Sequence, residues 1–144
     1  MLYFAYGSNM DAGRMRGRSI NFSSRRPARL IGYSLTFNKK ASNGDFSYAN
    51  IIPHPGDIVE GALYEFPENE IIALDGYEGY PDQYNRIILP VIDQNNNIID
   101  STVYIAVNTA PGYLPKREYL EHLLAGKDLL SKTYFEKLKQ VKTL

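Results

Sequence analysis

The sequence predicts an α+β domain with an antiparallel or mixed sheet and flanking helices. Three observations favour this class: about six segments have the apolar, β-branched or aromatic character of strands, most of them follow one another along the chain, and two amphipathic helices close the sequence. The length of 144 residues fits one domain, covering residues 1–144, with a core of its own.

Strands and turns alternate in the first half of the chain. The apolar segment Leu2–Tyr6 is typical of a buried strand and stops at a Gly-Ser-Asn turn. Asn9 is placed to cap a short helix over Met10–Arg18, and Pro53–Asp57 has the residues of a turn. Three further strands are expected in this half, at 29–37, Phe46–Ile52 and Val59–Phe66.

A short helix and a hairpin are expected next. Pro67 is suited to the first position of a helix that buries its aliphatic residues and ends near Gly76. The aliphatic residues expected to be buried are Ile71, Ile72 and Leu74. Strands at Tyr84–Ile92 and Ile98–Val107 flank an Asp-Gln-Asn-Asn-Asn segment, which predicts a hairpin.

Two amphipathic helices close the chain after a loop over 108–115. The first has an apolar face, and Gly126 is placed as the residue that ends it. The second starts at Ser131, with Leu130 and Phe135 placed for a hydrophobic staple. The apolar positions of the two helices are Tyr119, Leu120, Leu123 and Leu124, and then Tyr134, Phe135, Leu138 and Val141.

Composition excludes several classes of chemistry. The chain has no cysteine, which excludes disulfides, thiolate nucleophiles and cysteine-ligated metals. Two histidines without an HExxH motif give no support for a zinc site. Motifs of the types GxSxG, GxGxxG and the P-loop are also absent. We therefore expect no metal and no cofactor, and chemistry that relies on carboxylates and backbone amides.

The charge balance bears on partners and location. Sixteen basic residues offset sixteen acidic ones, which argues against a nucleic acid or a membrane surface as the partner. The N-terminal residues lack the basic segment of a signal peptide, and no apolar run is long enough to cross a bilayer. We therefore expect a cytoplasmic protein.

The basic residues are not evenly distributed. Residues 12–44 contain eight of them and no acid. One interpretation is a positive face that attracts an anionic ligand, and the other is a solvated face balanced by neighbouring carboxylates. The sequence leaves both open. The eight residues are Arg14, Arg16, Arg18, Arg25, Arg26, Arg29, Lys39 and Lys40.

Two segments could carry the chemistry. In Tyr3–Met10 a strand meets a tight turn that opens a helix, and free amides at such a place bind anions. In Ala73–Pro81 Glu78 lies among tyrosines and glycines, so partial desolvation would raise its pKa toward that of a working base. From spacing alone, the alternatives are an ordinary strand–turn–helix with an Asn cap for the first segment and a solvated loop glutamate for the second.

At these residues the sequence resembles the γ-glutamylcyclotransferase-like family, which includes the AIG2-like proteins. Tyr3–Met10 contains the family's opening YGSN motif, and Leu74-Asp75-x-x-Glu78-Gly79 resembles its LD-x-x-EG segment. The likeness runs in order from residue 2 to about 140. Three further segments resemble the family, at Gly56-Asp57-x-Val59-x-Gly61-x-x-Tyr64, around Tyr104, and at Pro115-x-x-x-Tyr119.

The resemblance implies a barrel-like fold and an enzyme that converts a γ-glutamyl amide into 5-oxoproline and a free amine. Glu78 is the implied catalytic acid/base, Asp75 has a capping or orienting role, and Tyr119 closes over the substrate. The implied substrate-binding residues of the first motif are Tyr3, Phe4, Ala5, Tyr6, Gly7, Ser8 and Asn9. The alternative for Tyr119 is a core aromatic residue on its helix.

Three expectations follow from this resemblance. The strands form one barrel-like mixed sheet, which brings Glu78 and the Gly7–Ser8 backbone to one pocket. The partner is a small γ-glutamyl molecule, bound by a monomer or a homodimer. The alternative function is a non-catalytic domain of the same fold that binds a small anion or a protein. The nature of the departing amine stays open.

Overall fold

The computed structural model describes residues 1–144 and contains five strands and four α-helices. The strands are β1 (Leu2–Ala5), β2 (Ser24–Lys40), β3 (Ser47–Glu65), β4 (Tyr84–Asp93) and β5 (Ile98–Ala106). The helices are α1 (Ala12–Gly17), α2 (Ile71–Glu78), α3 (Arg117–Leu124) and α4 (Lys132–Lys139). Single 3₁₀ turns occupy Ser8–Met10, Glu68–Glu70 and Lys127–Leu129.

The five strands close into a barrel in the order β1-β3-β2-β4-β5. Neighbours pair antiparallel except β1 and β5, which run parallel at Tyr3 and Thr102 and complete the closure. The predicted barrel-like mixed sheet is therefore confirmed. Because β4 runs opposite to β1 and β5, the ends of β1 and β5 and the start of β4 meet at one end of the barrel.

The core consists of two groups of buried side chains separated by the sheet. Along β1, Tyr3 and Ala5 belong to one group and Phe4 to the other, as the alternation of side chains in a strand requires. Tyr3 and Ala5 share their group with residues of the helices, including Leu74 and Leu120. β1 is thus covered on both faces, which explains why its sequence is continuously apolar.

The barrel has five strands where the sequence predicted six. The segment Pro53–Asp57, predicted as a turn, lies within β3. Ile31 pairs with Ile58 and Tyr33 with Pro53, so residues 54–57 stand opposite Gly32 alone. The turn residues therefore form a bulge that interrupts the pairing of one long hairpin, where a missing proline N–H does no harm.

Three details of the helices differ from the prediction. Asp11, and not Asn9, caps α1, because its Oδ1 accepts from the N–H groups of Gly13 and Arg14. α2 continues past Gly76 to Glu78 and ends at Gly79, whose left-handed conformation (φ 66°) a glycine adopts without strain. Ile72 is 73% exposed, because the buried face of α2 carries only Ile71 and Leu74.

The C-terminal helices form close to where they were predicted. The helix predicted to start at Ser131 begins at Lys132, and Ser131 caps it by accepting from the N–H of Tyr134. Gly126 follows α3 but has a negative φ of −82°, so a left-handed backbone conformation is not the reason for a glycine at this position. A Cβ there would lie 3.0 Å from the Cβ of Met10, so close packing against the first motif is the reason for glycine. No helix has both the length and the apolar character needed to cross a bilayer.

Candidate active site

Two adjoining cavities lie at the barrel end where β1 and β5 finish and β4 begins. The inner cavity has a volume of about 40 Å³, and the outer one, which exposed residues such as Ser42 and Tyr77 help to line, about 250 Å³. The inner volume accommodates only a few heavy atoms. Four residues line both cavities and define their junction, namely Ser8, Glu78, Tyr84 and Tyr119.

Glu78 reaches the junction because it is the last residue of α2. The chain turns sharply at Gly79, where a Cβ would come within 2.8 Å of the side chain of Gln83. The Glu78 carboxylate accepts a hydrogen bond from Asn9 Nδ2 at 3.0 Å. The two motifs that the sequence singled out, about seventy residues apart, thus meet at one site.

Asn9 is held so that its amide nitrogen faces the carboxylate. Its Oδ1 accepts from the Arg18 guanidinium at 3.0 Å, and because arginine only donates, this fixes which amide atom is oxygen. Nδ2 then donates to both Glu78 and the Tyr3 hydroxyl, each at 3.0 Å. The Arg18 guanidinium also stacks over the Tyr77 ring, 4.6 Å from its centroid.

The surroundings of Glu78 change its acidity. Burial raises the pKa of Glu78 to about 7, and the positive charges of Arg18 and Arg14 limit the increase. The flanking Tyr77 and Tyr80, which the sequence suggested as the desolvating groups, are 55% and 37% exposed. The desolvation therefore arises from the barrel end that encloses the carboxylate. A carboxyl group with this pKa exchanges protons readily near neutral pH.

Unpaired amides lie beside the carboxylate. The N–H groups of Gly7 and Ser8 donate to no backbone or side-chain acceptor, although both residues line the inner cavity. A Cβ on Gly7 would lie 3.3 Å from the Tyr119 hydroxyl, so glycine permits the close approach of these groups. Two such donors in a small cavity suit a carboxylate or an oxyanion.

Tyr119 and Tyr84 both bind the backbone of Ala49. The Tyr119 hydroxyl accepts from the Ala49 N–H at 3.0 Å, and the Tyr84 hydroxyl donates to the Ala49 carbonyl at 2.7 Å. The hydroxyl hydrogen of Tyr119 stays available to a ligand, because its oxygen acts as the acceptor. Burial raises the pKa of Tyr119 above its usual value, so the hydroxyl is protonated at neutral pH.

Comparison with known proteins gives the family of this chain. Residues 3–126 match the family model described as "Gamma-glutamyl cyclotransferase, AIG2-like". The chain belongs to this family. It is 30% identical to human gamma-glutamylcyclotransferase over 97% of its own length and 78% of that protein. It is 29% identical to YkqA of Bacillus subtilis, of which it spans half.

Solved structures agree with this assignment. A protein described as gamma-glutamyl cyclotransferase superimposes with a TM-score of 0.86 and 28% identity, covering all of this chain and 89% of that one. A glutathione-specific yeast cyclotransferase has a TM-score of 0.68 at 14% identity, a likeness that shows the fold alone. Family and relatives together support a function of the gamma-glutamylcyclotransferase type.

The family's opening motif divides between the cavity and the core. Phe4 and Ala5 pair with β3 and their side chains lie in the core, so neither lines a cavity. The ring of Tyr6 lines the inner cavity, but its hydroxyl donates to the Tyr104 carbonyl at 2.6 Å. Asp75 accepts from the Tyr104 hydroxyl at 2.6 Å and lies 3.0 Å from Arg86 Nε, so it orients Tyr104.

The basic segment 12–44 contributes cavity residues that no single position in the sequence indicated. Its members Arg14, Arg18 and Lys39 line the outer cavity, which favours the interpretation as an anion-attracting face. Arg25 instead pairs with Asp128 at 2.7 Å and belongs to the balanced surface. The acid-free composition of the segment was a signal, but the choice among its eight cations depends on the fold.

Proposed function

We propose that this protein is an enzyme that cleaves a γ-glutamyl amide by intramolecular cyclisation, with Glu78 as the general acid/base. One observation carries the proposal: the Glu78 carboxyl lies at the junction of the two cavities with a pKa of about 7. The family assignment supports a small γ-glutamyl molecule as the substrate, and the proposed products are 5-oxoproline and a free amine.

The reaction requires no external nucleophile. Glu78 takes one proton from the α-ammonium of the glutamyl group, and the resulting amine attacks the γ-carbonyl carbon to form the ring C–N bond. The protonated Glu78 then donates to the nitrogen of the departing amine as the old C–N bond breaks. The second proton of the former ammonium passes by way of the same carboxylate to the released amine. The two protons that leave the ring nitrogen thus end on the product amine.

The cavities support this chemistry by position and charge. The free amides of Gly7 and Ser8 suit the α-carboxylate or the oxyanion that develops on the γ-carbonyl. The hydroxyl hydrogen of Tyr119 supplies a third donor at the junction. Holding the amine beside the carbonyl lowers the activation barrier by several kcal/mol, because the bound substrate no longer has to search through many chain conformations. No cofactor enters this scheme.

The experiment is an assay of 5-oxoproline release from a panel of γ-glutamyl amides that differ in the departing amine. Release of 5-oxoproline together with an equal amount of amine supports the proposal. Binding of γ-glutamyl compounds or small anions without turnover of any member contradicts it and favours the non-catalytic binding domain.

Isotopically labelled water separates cyclisation from hydrolysis. The ring closes through the substrate's own amine, so freshly formed 5-oxoproline acquires no label at its ring carbonyl. Label at that carbonyl, or release of glutamate in place of 5-oxoproline, shows a hydrolase and contradicts the cyclisation.

A further inference from the structure

Lys39 is the least exposed charged side chain at the outer cavity. The residue is 7% exposed, near the end of β2, and lines the cavity together with Ala41, Ser42 and Gln83. Its ammonium donates to the side-chain oxygen of Gln83 at 2.6 Å and to the Lys40 carbonyl at 3.1 Å. An ammonium has three hydrogens, so one of them is left to donate to a ligand.

No carboxylate of the protein balances this charge. Lys39 forms no ion pair, whereas its neighbour Lys40 lies 4.0 Å from Asp45. Both protein acceptors of Lys39 are neutral carbonyl oxygens. A buried cation without a counter-ion destabilises the protein, and a ligand carboxylate that supplies the missing charge is bound with a corresponding gain. Burial and the charge of Lys40 lower the pKa of Lys39, which is the expected effect of such a site without its anion.

The position of Lys39 relative to the junction decides which part of a substrate it meets. Lys39 and Gln83 line the outer cavity only, whereas Gly7 lines the inner one and Ser8 lines both. In the proposed mechanism Glu78 exchanges protons with the α-amine nitrogen and with the nitrogen of the departing amine. The amide bond that breaks therefore lies beside Glu78, at the junction of the two cavities. The α-carboxylate of the glutamyl group then faces the inner cavity, which holds only a few heavy atoms, and the departing amine extends toward Lys39.

We infer that Lys39, held by Gln83, is a specificity-determining residue that binds a carboxylate on the departing amine. The inference rests on the proposed function and specifies its substrates. They are γ-glutamyl conjugates of amines that carry a carboxylate close to the bond that breaks, and conjugates of uncharged amines are poorer substrates. The substrate is then a dianion at its two carboxylates, which matches a cavity that holds Arg14, Arg18 and Lys39 against one glutamate.

A matched pair of substrates tests this inference. γ-Glutamyl-alanine and γ-glutamyl-ethylamide release amines that differ only in the carboxylate. The expected ratio of their kcat/KM values is about tenfold to a hundredfold in favour of γ-glutamyl-alanine, the effect of one hydrogen bond between charged groups.

Three variants assign that ratio to Lys39. Lys39→Met removes the charge and brings the ratio close to one. Gln83→Glu places a carboxylate against the Lys39 ammonium and lowers the ratio of the kcat/KM values in the same way. It replaces Lys39→Met as the test if that variant does not fold. Lys40→Met is the control and keeps the parent ratio, because Lys40 donates to the carbonyls of Ala41 and Gly44 and lines neither cavity.

The outcomes distinguish this inference from the proposed function. A parent ratio near one, or an unchanged ratio in a folded Lys39→Met or Gln83→Glu protein, overturns the role of Lys39 and leaves the cyclisation standing. Failure to release 5-oxoproline from either compound and from the wider panel overturns the proposed function, and the inference with it. A high parent ratio that both variants abolish supports the inference.

Discussion

Asn9 donates a hydrogen bond to the Glu78 carboxylate at 3.0 Å, although 69 positions separate the two residues. This is the only hydrogen bond that Glu78 accepts from the protein, and it engages Oε1. Oε2 is therefore free for proton exchange with a ligand, while Oε1 is held in place by an amide that Arg18 orients. The contact fixes the direction of the carboxylate without using up its capacity as a base.

The first prediction is the loss of activity in Glu78→Gln. Glutamine has nearly the same shape but takes no proton from an ammonium, so we expect turnover to fall by roughly 10²–10⁴. Binding of 5-oxoproline persists within about tenfold, because the amides of Gly7 and Ser8 are unchanged. Glu68→Gln, an exposed position before α2, is the matched control. Turnover at the parent level in a folded Glu78→Gln protein would show that Glu78 is not the base.

The second prediction concerns the pH dependence of the reaction. The pKa of Glu78 is about 7, and the base form is the ionised one. In the free enzyme kcat/KM is therefore expected to rise with pH through about 7 and then to level off. Kinetics between pH 4 and pH 9 check this, and the same profile for Glu78→Gln lacks the rise. A limb near pH 4.5 would indicate that burial does not affect this carboxyl group.

The third prediction concerns stability, which changes with pH in the opposite direction from kcat/KM. The pKa of Glu78 is higher in the folded than in the unfolded protein, so the folded state binds more protons between about pH 4.5 and 7. The stabilising contribution of Glu78 to the free energy of unfolding is therefore lost as the pH rises from about 4.5 to about 7. Relative to the parent, Glu78→Gln should gain roughly 1–3 kcal/mol at pH 8 compared with pH 5. Urea unfolding at both values measures this, and equal differences at the two would contradict it.

The strands were predictable from sequence wherever burial dictates the pattern. β1 is apolar throughout because core side chains cover both of its faces, and the β4–β5 hairpin follows from its turn residues. The predicted turn at Pro53–Asp57 was wrong because the residues of a turn also form a bulge, and only the register with β2 distinguishes the two.

The site was predictable only in part, for a related reason. The motif residues Glu78, Gly7 and Ser8 carry local signals, namely a carboxylate in an aromatic segment and a strand that ends at a glycine turn. Arg14 and Lys39 carry no signal beyond the acid-free composition of their segment, because their places at the cavity depend on the Asp11 cap of α1 and on the closure of the barrel. Long-range placement of this kind leaves no trace in a short stretch of sequence.

The fourth prediction is the effect of a methyl group at Gly7. The added Cβ would lie 3.3 Å from the Tyr119 hydroxyl and 3.5 Å from the Ala49 Cβ, so the hydroxyl has to shift by a few tenths of an ångström. We expect Gly7→Ala to lower kcat/KM by about tenfold or more, because donors at such a site act only at short range. Gly17→Ala is the control, since its Cβ meets nothing within 4 Å. Parent-level kinetics in Gly7→Ala would show that this approach is not needed.

The last prediction concerns Arg14, which His122 holds at the outer cavity. Arg14 Nη1 lies 3.3 Å from His122 Nε2, and because arginine only donates, Nε2 is the unprotonated nitrogen. The hydrogen is therefore on Nδ1, which donates to Asp11 Oδ2 at 2.7 Å. In this arrangement His122 acts as an acceptor that steers the guanidinium.

Removing that acceptor should weaken substrate binding more than it slows the chemistry. In His122→Leu the guanidinium loses its anchor, so we expect KM for γ-glutamyl substrates to rise by about three- to thirtyfold while kcat falls less. His122→Gln retains a side-chain oxygen that can accept from Arg14, and it should recover part of the loss. Steady-state kinetics of the two variants, with thermal unfolding to verify the fold, provide the measurement. Equal kinetics for the two, or a loss confined to kcat, would show that His122 does not act through Arg14.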